Sequence, residues 1–432
     1  MRTRVCYNVE DVPNFKNSLL EWSQQFSEVV WFDSNEHLDC YSSFGALLAV
    51  DALTSIVADA QNAFGRLMNY QKETNDWIFG YLSYDLKNDV EGLTSKNFDG
   101  LNFADLFFFQ PKKIITLTGN LITMDYLKMV EDEIRSDFEE ISGCANTCDK
   151  GEGVENHIHI RMRIFKDTYF KQVNQLLAHI HRGDIYEANF CQEFYAEDTE
   201  ISPLDTYRKL NTISRAPFAT FLRLGHNYLM SASPERYIKK TGNKIISQPI
   251  KGTAKRSLSL LEDELLKERL SKDEKERAEN IMIVDLVRND LSKSALRGSV
   301  VVEELCKVRT YKQLHQMIST VTAFVPEDKN PIEILKETFP MGSMTGAPKL
   351  SAMRITEELE AFKRGLYSGA VGYFTADGDF DFNVVIRSIL YNAREKYVSY
   401  AVGSAITAKA VPEKEYEECL LKAKAMKEVL QG

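Results

Sequence analysis

Arg364-Gly365-Leu366-Tyr367-Ser368-Gly369-Ala370-Val371-Gly372-Tyr373-Phe374-Thr375-Ala376-Asp377-Gly378-Asp379-Phe380-Asp381-Phe382 reads as a strand, a tight turn and the start of a second strand. The apolar and aromatic run from Tyr367 to Phe374 ends at Asp377-Gly378, a pair suited to the positive φ angles of a hairpin turn, and a second run extends from Phe382 to Tyr391. Strands joined this tightly run antiparallel. Upstream, Trp77 to Leu82 and Leu106 to Phe109 have the aromatic-rich character of buried strands, and Ile185 to Ala196, Asn227 to Met230, Lys244 to Ile250 and Val300 to Val302 predict others.

Helices are predicted between them. Ile164, Tyr169, Val173, Leu176, Leu177 and Ile180 share one face of a helix that stops near Gly183, a residue suited to a left-handed cap. The charge-dense stretch from Lys255 to Asn280 runs into Ile281-Met282-Ile283-Val284 and predicts one helix, and Glu413 to Leu430 predicts a closing one. Between Ser142 and Asn156 the chain turns to Gly, Asn, Cys, Asp and Glu, the composition of a connection. Residues 1–150 and 160–430 are therefore treated as two regions.

The chain has 432 residues, 44% of them hydrophobic and 27% charged, the balance of a globular protein with a sizeable core. A net charge of −10 disfavours nucleic acid or an anionic membrane as partner, since both need a basic face. The N-terminus has no apolar stretch behind its charges and no apolar run reaches membrane-spanning length, so a cytoplasmic location is expected. The seven cysteines are scattered, as reduced thiols would be, and the one close pair, Cys144 and Cys148, lacks the further ligands of a zinc site.

Several residues invite chemistry. Ser247-Gln248-Pro249-Ile250-Lys251-Gly252-Thr253 places a lysine between a strand and a glycine. To act as a nucleophile it must lose its proton, which at neutral pH asks for a pKa depressed by about 3 units, roughly 4 kcal/mol. Glu235, in Ser233-Pro234-Glu235-Arg236, lies where adjacent strands could bring a carboxyl to that amine for proton transfer; a salt bridge to Arg236 is the plainer alternative. Glu276 and Glu279 share one helix face, as do Glu415 and Glu418, a pattern that can hold a hard cation but is more commonly a solvated face. Gly342 to Lys349 imitates a phosphate loop, but Pro348 interrupts it and Leu350 replaces the hydroxyl that would hold Mg²⁺. The pairs His157/His159 and His179/His181 lack a third metal ligand.

Together these segments resemble the chorismate-utilising enzymes, which include anthranilate synthase component I, aminodeoxychorismate synthase component I and the isochorismate and salicylate synthases. The resemblance runs through Ser233 to Arg236, Pro249 to Thr253, Glu279 to Asp290, Gly342 to Lys349, Arg364 to Tyr373 and Pro412 to Lys422, with Gly80 to Asp85 extending it upstream. It implies an α+β fold, two stacked antiparallel β-sheets flanked by helices, in which both regions form one intertwined unit. The lysine of Pro249-Ile250-Lys251-Gly252-Thr253 resembles the mark of the aminodeoxychorismate branch, and anthranilate synthases carry alanine there. The resemblance then implies Lys251 as covalent nucleophile and Glu235 as proton donor and acceptor. It implies Mg²⁺ on Glu279 and Glu418, with Glu276 and Glu415 acting through water. Arg387 and Tyr367 would contact the enolpyruvyl carboxylate, Lys422 and the backbone at Gly403 would complete the anion site, and Thr345, Gly346 and Gln316 would face the ring. Chorismate and ammonia are the implied substrates. Because no glutaminase segment is recognised in the sequence, a separate glutamine amidotransferase subunit is the implied partner, with 4-aminobenzoate and folate downstream. Anthranilate synthase component I and a non-catalytic chorismate-binding subunit are the alternatives. Three positions depart from the family pattern. Glu187 stands where aminating members have glutamine and isochorismate synthases a lysine, Gln316 takes the place of a histidine beside His315, and Ala405 replaces the second glycine after Gly403.

Overall fold

The hairpin forms, with Ala370–Phe374 pairing antiparallel to Phe380–Val384 and Gly378 at φ 76 in the turn. Its second strand does not run unbroken to Tyr391. It stops at Val384 and resumes as Ser388–Asn392, and between them Arg387 takes φ 52. The break forfeits ladder hydrogen bonds and re-aims Arg387, a feature that apolar alternation alone does not foreshadow. The computed structural model describes residues 1–37, 40–143, 158–311 and 314–431. The predicted connection from Ser142 to Asn156, apart from its first two residues, and with it Cys144, Cys148 and His157, lies outside the described residues.

All pairings between the named strands are antiparallel, and one strand, Leu106–Thr118, joins the layers. Along one edge it pairs with Ala46–Ala58, from which pairing continues through Glu28–Asp33, Phe218–Leu224, Asn227–Ser233, Ser388–Asn392 and Tyr397–Thr407 to Glu187–Ala196. Along the other edge, Ile78–Leu82 leads through the hairpin to Arg236–Thr241, Lys244–Gln248 and Leu314–Phe324, which is flanked by Ile250–Lys255 and Val301–Thr310. The two sheets are thus stacked branches of one hydrogen-bonded surface. Phe79, Phe108, Leu222, Leu229, Phe374 and Phe382, drawn from both branches, fill the layer between them. The alternate faces of the first branch, with Trp31, Met230 and Tyr400, bury against helices through Tyr169, Leu176 and Met426.

The helix Lys166–Arg182 buries Tyr169, Val173, Leu176, Leu177 and Ile180 and ends at Gly183 with φ 86, as its spacing predicts. The stretch expected as one helix from Lys255 to Val284 is two, Leu260–Lys272 and Glu274–Ser292. Asp273 separates them, its carboxylate accepting from the Glu276 backbone N–H and capping the second helix. The closing helix spans Pro412–Gln431. Among the described residues, no helix is long and apolar enough to cross a membrane, and Cys6, Cys40, Cys191, Cys306 and Cys419 are free thiols.

Candidate active site

Lys251 owes its direction to a bulge. Ile250 pairs with Ile318 and Thr253 with Gln316, so Lys251 and Gly252 together oppose the single residue Met317. Gly252 supplies the positive φ, 89°, that this geometry needs, and a Cβ there would press on Glu276. The turned-out ammonium lies 3.5 Å from Glu187 Oε1. Burial works against its charge, but the carboxylates of Glu187, Glu279, Glu235 and Glu418 outweigh burial and hold its pKa above the ordinary lysine value. The shift is therefore opposite to the one that a resting nucleophile would need. Glu187 is buried, and its second oxygen, Oε2, has no hydrogen-bond partner among the described residues.

Glu235 follows the strand Asn227–Ser233, and its carbonyl accepts from Val384 N–H at 3.1 Å. Glu235 is 5% exposed, and burial pushes its carboxyl pKa up to about 7, against the pull of Ser343, Lys251 and the Ile250 backbone. The Ser343 hydroxyl approaches it without closing a hydrogen bond. The alternative partner, Arg236, is engaged with Asp381 at 3.1 Å and with Gln248.

The two acidic helices face one another. Lys275 lies 3.8 Å from Glu279 Oε1 and 3.7 Å from Glu415 Oε1, an ammonium between the helices. Burial lifts Glu276 above the usual carboxylate range and Glu279 to about 7. Glu279 Oε1 is buried without a hydrogen bond, while Glu415 accepts from Ser404. Burial also opposes ionisation of Glu418, but Lys422, 2.6 Å away, and Lys275 and Lys251 hold its pKa low. No three carboxylate, histidine or cysteine side chains converge at metal-ligand spacing among the described residues. The donor chemistry nonetheless fits a hard cation: carboxylate oxygens, one of them orphaned, already attract an ammonium.

Arg387 is the candidate for an anion contact. Burial pulls its pKa down, with Tyr367 and Glu418 nearby working the other way, and no hydrogen bond or ion pair engages its guanidinium among the described residues. Lys422 donates to the Gly403 carbonyl at 2.8 Å, bringing that strand to Glu418. Gln316 is buried on the strand beside the bulge. Thr345 and Gly346 are stitched to the strand carrying Glu187: Asn189 N–H donates to Thr345 O at 2.8 Å, and a Cβ on Gly346 would fall 2.2 Å from Glu187 O.

Sequence reasoning missed the clasp on that seam. Arg364 donates to Met344 O at 2.7 Å, Asn189 O at 2.8 Å and Glu360 Oε2 at 2.8 Å, and Glu360 Oε1 accepts from Cys191 N–H at 2.9 Å. Both side chains are buried. Arg364→Ala should cost about 3–5 kcal/mol, because Glu360 is left as an uncompensated buried charge. The check is a lowered urea midpoint at unchanged slope, with partial recovery in Arg364→Lys. Glu360 caps the end of the helix Lys349–Leu359 and Arg364 lies beyond it, so no helix periodicity announces the pair.

The remaining features take structural roles. Lys349 binds Asp290 at 2.6 Å and the Pro340 carbonyl at 2.8 Å, so the imitation phosphate loop has no free cation. His179 pairs with Asp184, and buried His315 with Asp263 and Thr310. A cavity of about 430 Å³ adjoins Pro234 and Ile250 with Phe32, Phe44, Phe218 and Tyr373 in its walls. None of Lys251, Glu235, Glu187, Glu279 or Glu418 lines it, so it is separate from the ionisable cluster.

The profile described as chorismate binding enzyme matches residues 20–428. An aminodeoxychorismate synthase of Streptomyces griseus is 37% identical over 364 residues, covering 80% of this chain and 49% of that protein. This chain thus spans about half the length of that relative. An anthranilate synthase component 1 of Thermus thermophilus is 33% identical over 361 residues, covering 81% of this chain and 76% of the relative. The crystal structure of anthranilate synthase component I from Streptococcus pneumoniae superimposes with a TM-score of 0.76 at 24% identity, covering 90% of this chain and 94% of that one; at this identity the likeness is one of fold.

Proposed function

The chain belongs to the chorismate-binding enzymes, and we propose that it is an aminating member, joining ammonia to C4 of chorismate to give 4-amino-4-deoxychorismate. The observation that carries this reading is Lys251, turned by the bulge toward buried carboxylates and beside Glu235, whose carboxyl is neutral below about pH 7.

In this mechanism the Lys251 ammonium first gives up a proton; Glu187, 3.5 Å away, is its nearest carboxylate partner. The free amine attacks C2, forming an Nζ–C2 bond as both conjugated ring double bonds shift toward C4 and the C4–O bond breaks. Glu235 gives its proton to the departing hydroxyl, which leaves as water. Ammonia then attacks C4, both double bonds shift back and the Nζ–C2 bond breaks. The Glu235 carboxylate takes the proton shed by the new ammonium, which restores the enzyme. Arg387, with Tyr367, Lys422 and the Gly403 backbone, binds the enolpyruvyl carboxylate, and a guanidinium with no partner among the described residues suits that role. Thr345, Gly346 and Gln316 line the ring.

Glu279 and Glu418 would hold Mg²⁺, with Glu276 and Glu415 reaching it through water. When bound, the ion supplies fixed positive charge for the ring carboxylate. Ammonia comes from a separate glutamine amidotransferase subunit, and the product leads to 4-aminobenzoate and folate. The Thermus relative supports a second reading, anthranilate synthase component I, with amination at C2 and loss of pyruvate.

The test is incubation with chorismate, Mg²⁺ and an ammonium salt at mildly alkaline pH, followed by mass spectrometry. Aminodeoxychorismate is expected, with turnover lost on chelation by EDTA and restored by added Mg²⁺. Anthranilate would select the second reading, and chorismate binding without turnover would mark a non-catalytic subunit.

A further inference from the structure

Glu235 also lines a second cavity, of about 20 Å³, that Lys251 does not reach. Its walls include Ser343, Ser247 and Asp290. That volume accommodates a single water, provided two or more polar groups hold it. One such group is waiting: Ser343 Oγ is buried and has no hydrogen-bond partner among the described residues. On another wall, Asp290 accepts from Lys349 at 2.6 Å and from Lys293 at 3.1 Å. The Lys293 side chain is 44% exposed, so this ion-paired group extends from the cavity to solvent.

We infer that this cavity holds one water, fixed by the Ser343 hydroxyl, that links the Glu235 carboxyl to Asp290 and lets Glu235 exchange its proton with solvent by a route separate from Lys251. The step moves protons only. Glu235 gives its proton to the water as the water gives one of its own to the Asp290 carboxylate, Asp290 passes a proton to Lys293 as that exposed ammonium releases one to bulk water, and the reverse sequence protonates Glu235 in the free enzyme. Charged neighbours do not supply the same service. Lys251 faces Glu235 from the bulged strand as an ammonium, with no lone pair to accept a proton. Arg236, next in the chain, is committed to Asp381 and Gln248, and Lys349 lies beyond Asp290. Ser343 is on this account a positioning residue, and the inference rests on Glu235 being the proton donor of the reaction proposed above.

The experiment follows the Glu235 carboxyl directly. Its neutral C=O stretch is identified in the infrared as the band lost in Glu235→Gln, then titrated with pH in the wild type, Ser343→Ala and Ser343→Thr. Loss of the hydroxyl should move the midpoint up by about half to one pH unit, and threonine should restore it. In the same variants, kcat should fall about tenfold in Ser343→Ala with KM for chorismate unchanged and a larger solvent deuterium effect. An unmoved midpoint in a folded Ser343→Ala protein would overturn the inference. Failure of the wild type to turn over chorismate would instead defeat the functional reading, with the infrared titration still deciding whether water and Ser343 couple to Glu235.

Discussion

Lys251→Ala should lower turnover of chorismate by roughly a thousandfold or more, the scale seen when a covalent nucleophile is removed, and abolish any substrate adduct in the intact-protein mass. Binding of chorismate should survive, because the groups proposed to hold its carboxylates lie on other elements. The comparison that isolates nucleophilicity is Lys251→Arg. Arginine keeps a positive charge among Glu187, Glu279, Glu235 and Glu418 but is not deprotonated in proteins, so it should be as inactive as alanine yet more stable. Alanine leaves those carboxylates without their shared cation and should destabilise the protein increasingly as pH rises. An arginine variant that formed product at the wild-type rate would remove Lys251 from the mechanism.

Glu235→Gln should be inactive and, above neutral pH, more stable than the wild type. The sign follows from where the proton sits. The folded carboxyl titrates at about 7 and the free side chain at 4.5, because burial favours the neutral form. Between those values the folded state holds a proton the unfolded chain has lost, so stability falls as pH rises through the window. The gap corresponds to about 3 kcal/mol, fully felt above pH 7 and absent below 4.5. Glutamine cannot ionise and escapes that loss. The wild-type rate should also decline as pH rises through 7, since the departing hydroxyl needs the protonated acid. Paired urea titrations at pH 5 and pH 8.5 check the stability difference; equal midpoints at the higher pH would show that Glu235 is not strained by its charge.

These residues were legible in the sequence to unequal degrees. Strands, the hairpin and the helix from Lys166 to Arg182 follow from local periodicity, since each buries one face against neighbours that need not be known in advance. Breaks in the pattern are less visible. The split at Asp273 has a local mark, an N-cap aspartate three residues before Glu276, that the surrounding charges conceal. The interruption at Arg387 has none, because it serves a direction in space rather than a pattern along the chain. Gly252 after Lys251 hints at the bulge, but the carboxylates around that lysine come from the strand Glu187–Ala196, the turn at Glu235 and two separate helices. Only the family resemblance gathered them in advance. The Arg364 clasp and the unpartnered Ser343 hydroxyl lay beyond both, since what defines them is contact between segments remote in sequence.

The pairing of Ile78–Leu82 with Ala370–Phe374 carries a consequence for how the protein is made. A ribosome must lay down nearly three hundred further residues before the first of these strands meets the second, and through that interval one of its edges has no native neighbour. The segment is apolar and aromatic, the kind of open edge that templates aggregation. Translation stalled or truncated before Phe374 would leave a nascent chain that can build the edge with Leu106–Thr118 but not close the layer. Folding is therefore a late event in synthesis, and the waiting strand is a natural client for a chaperone.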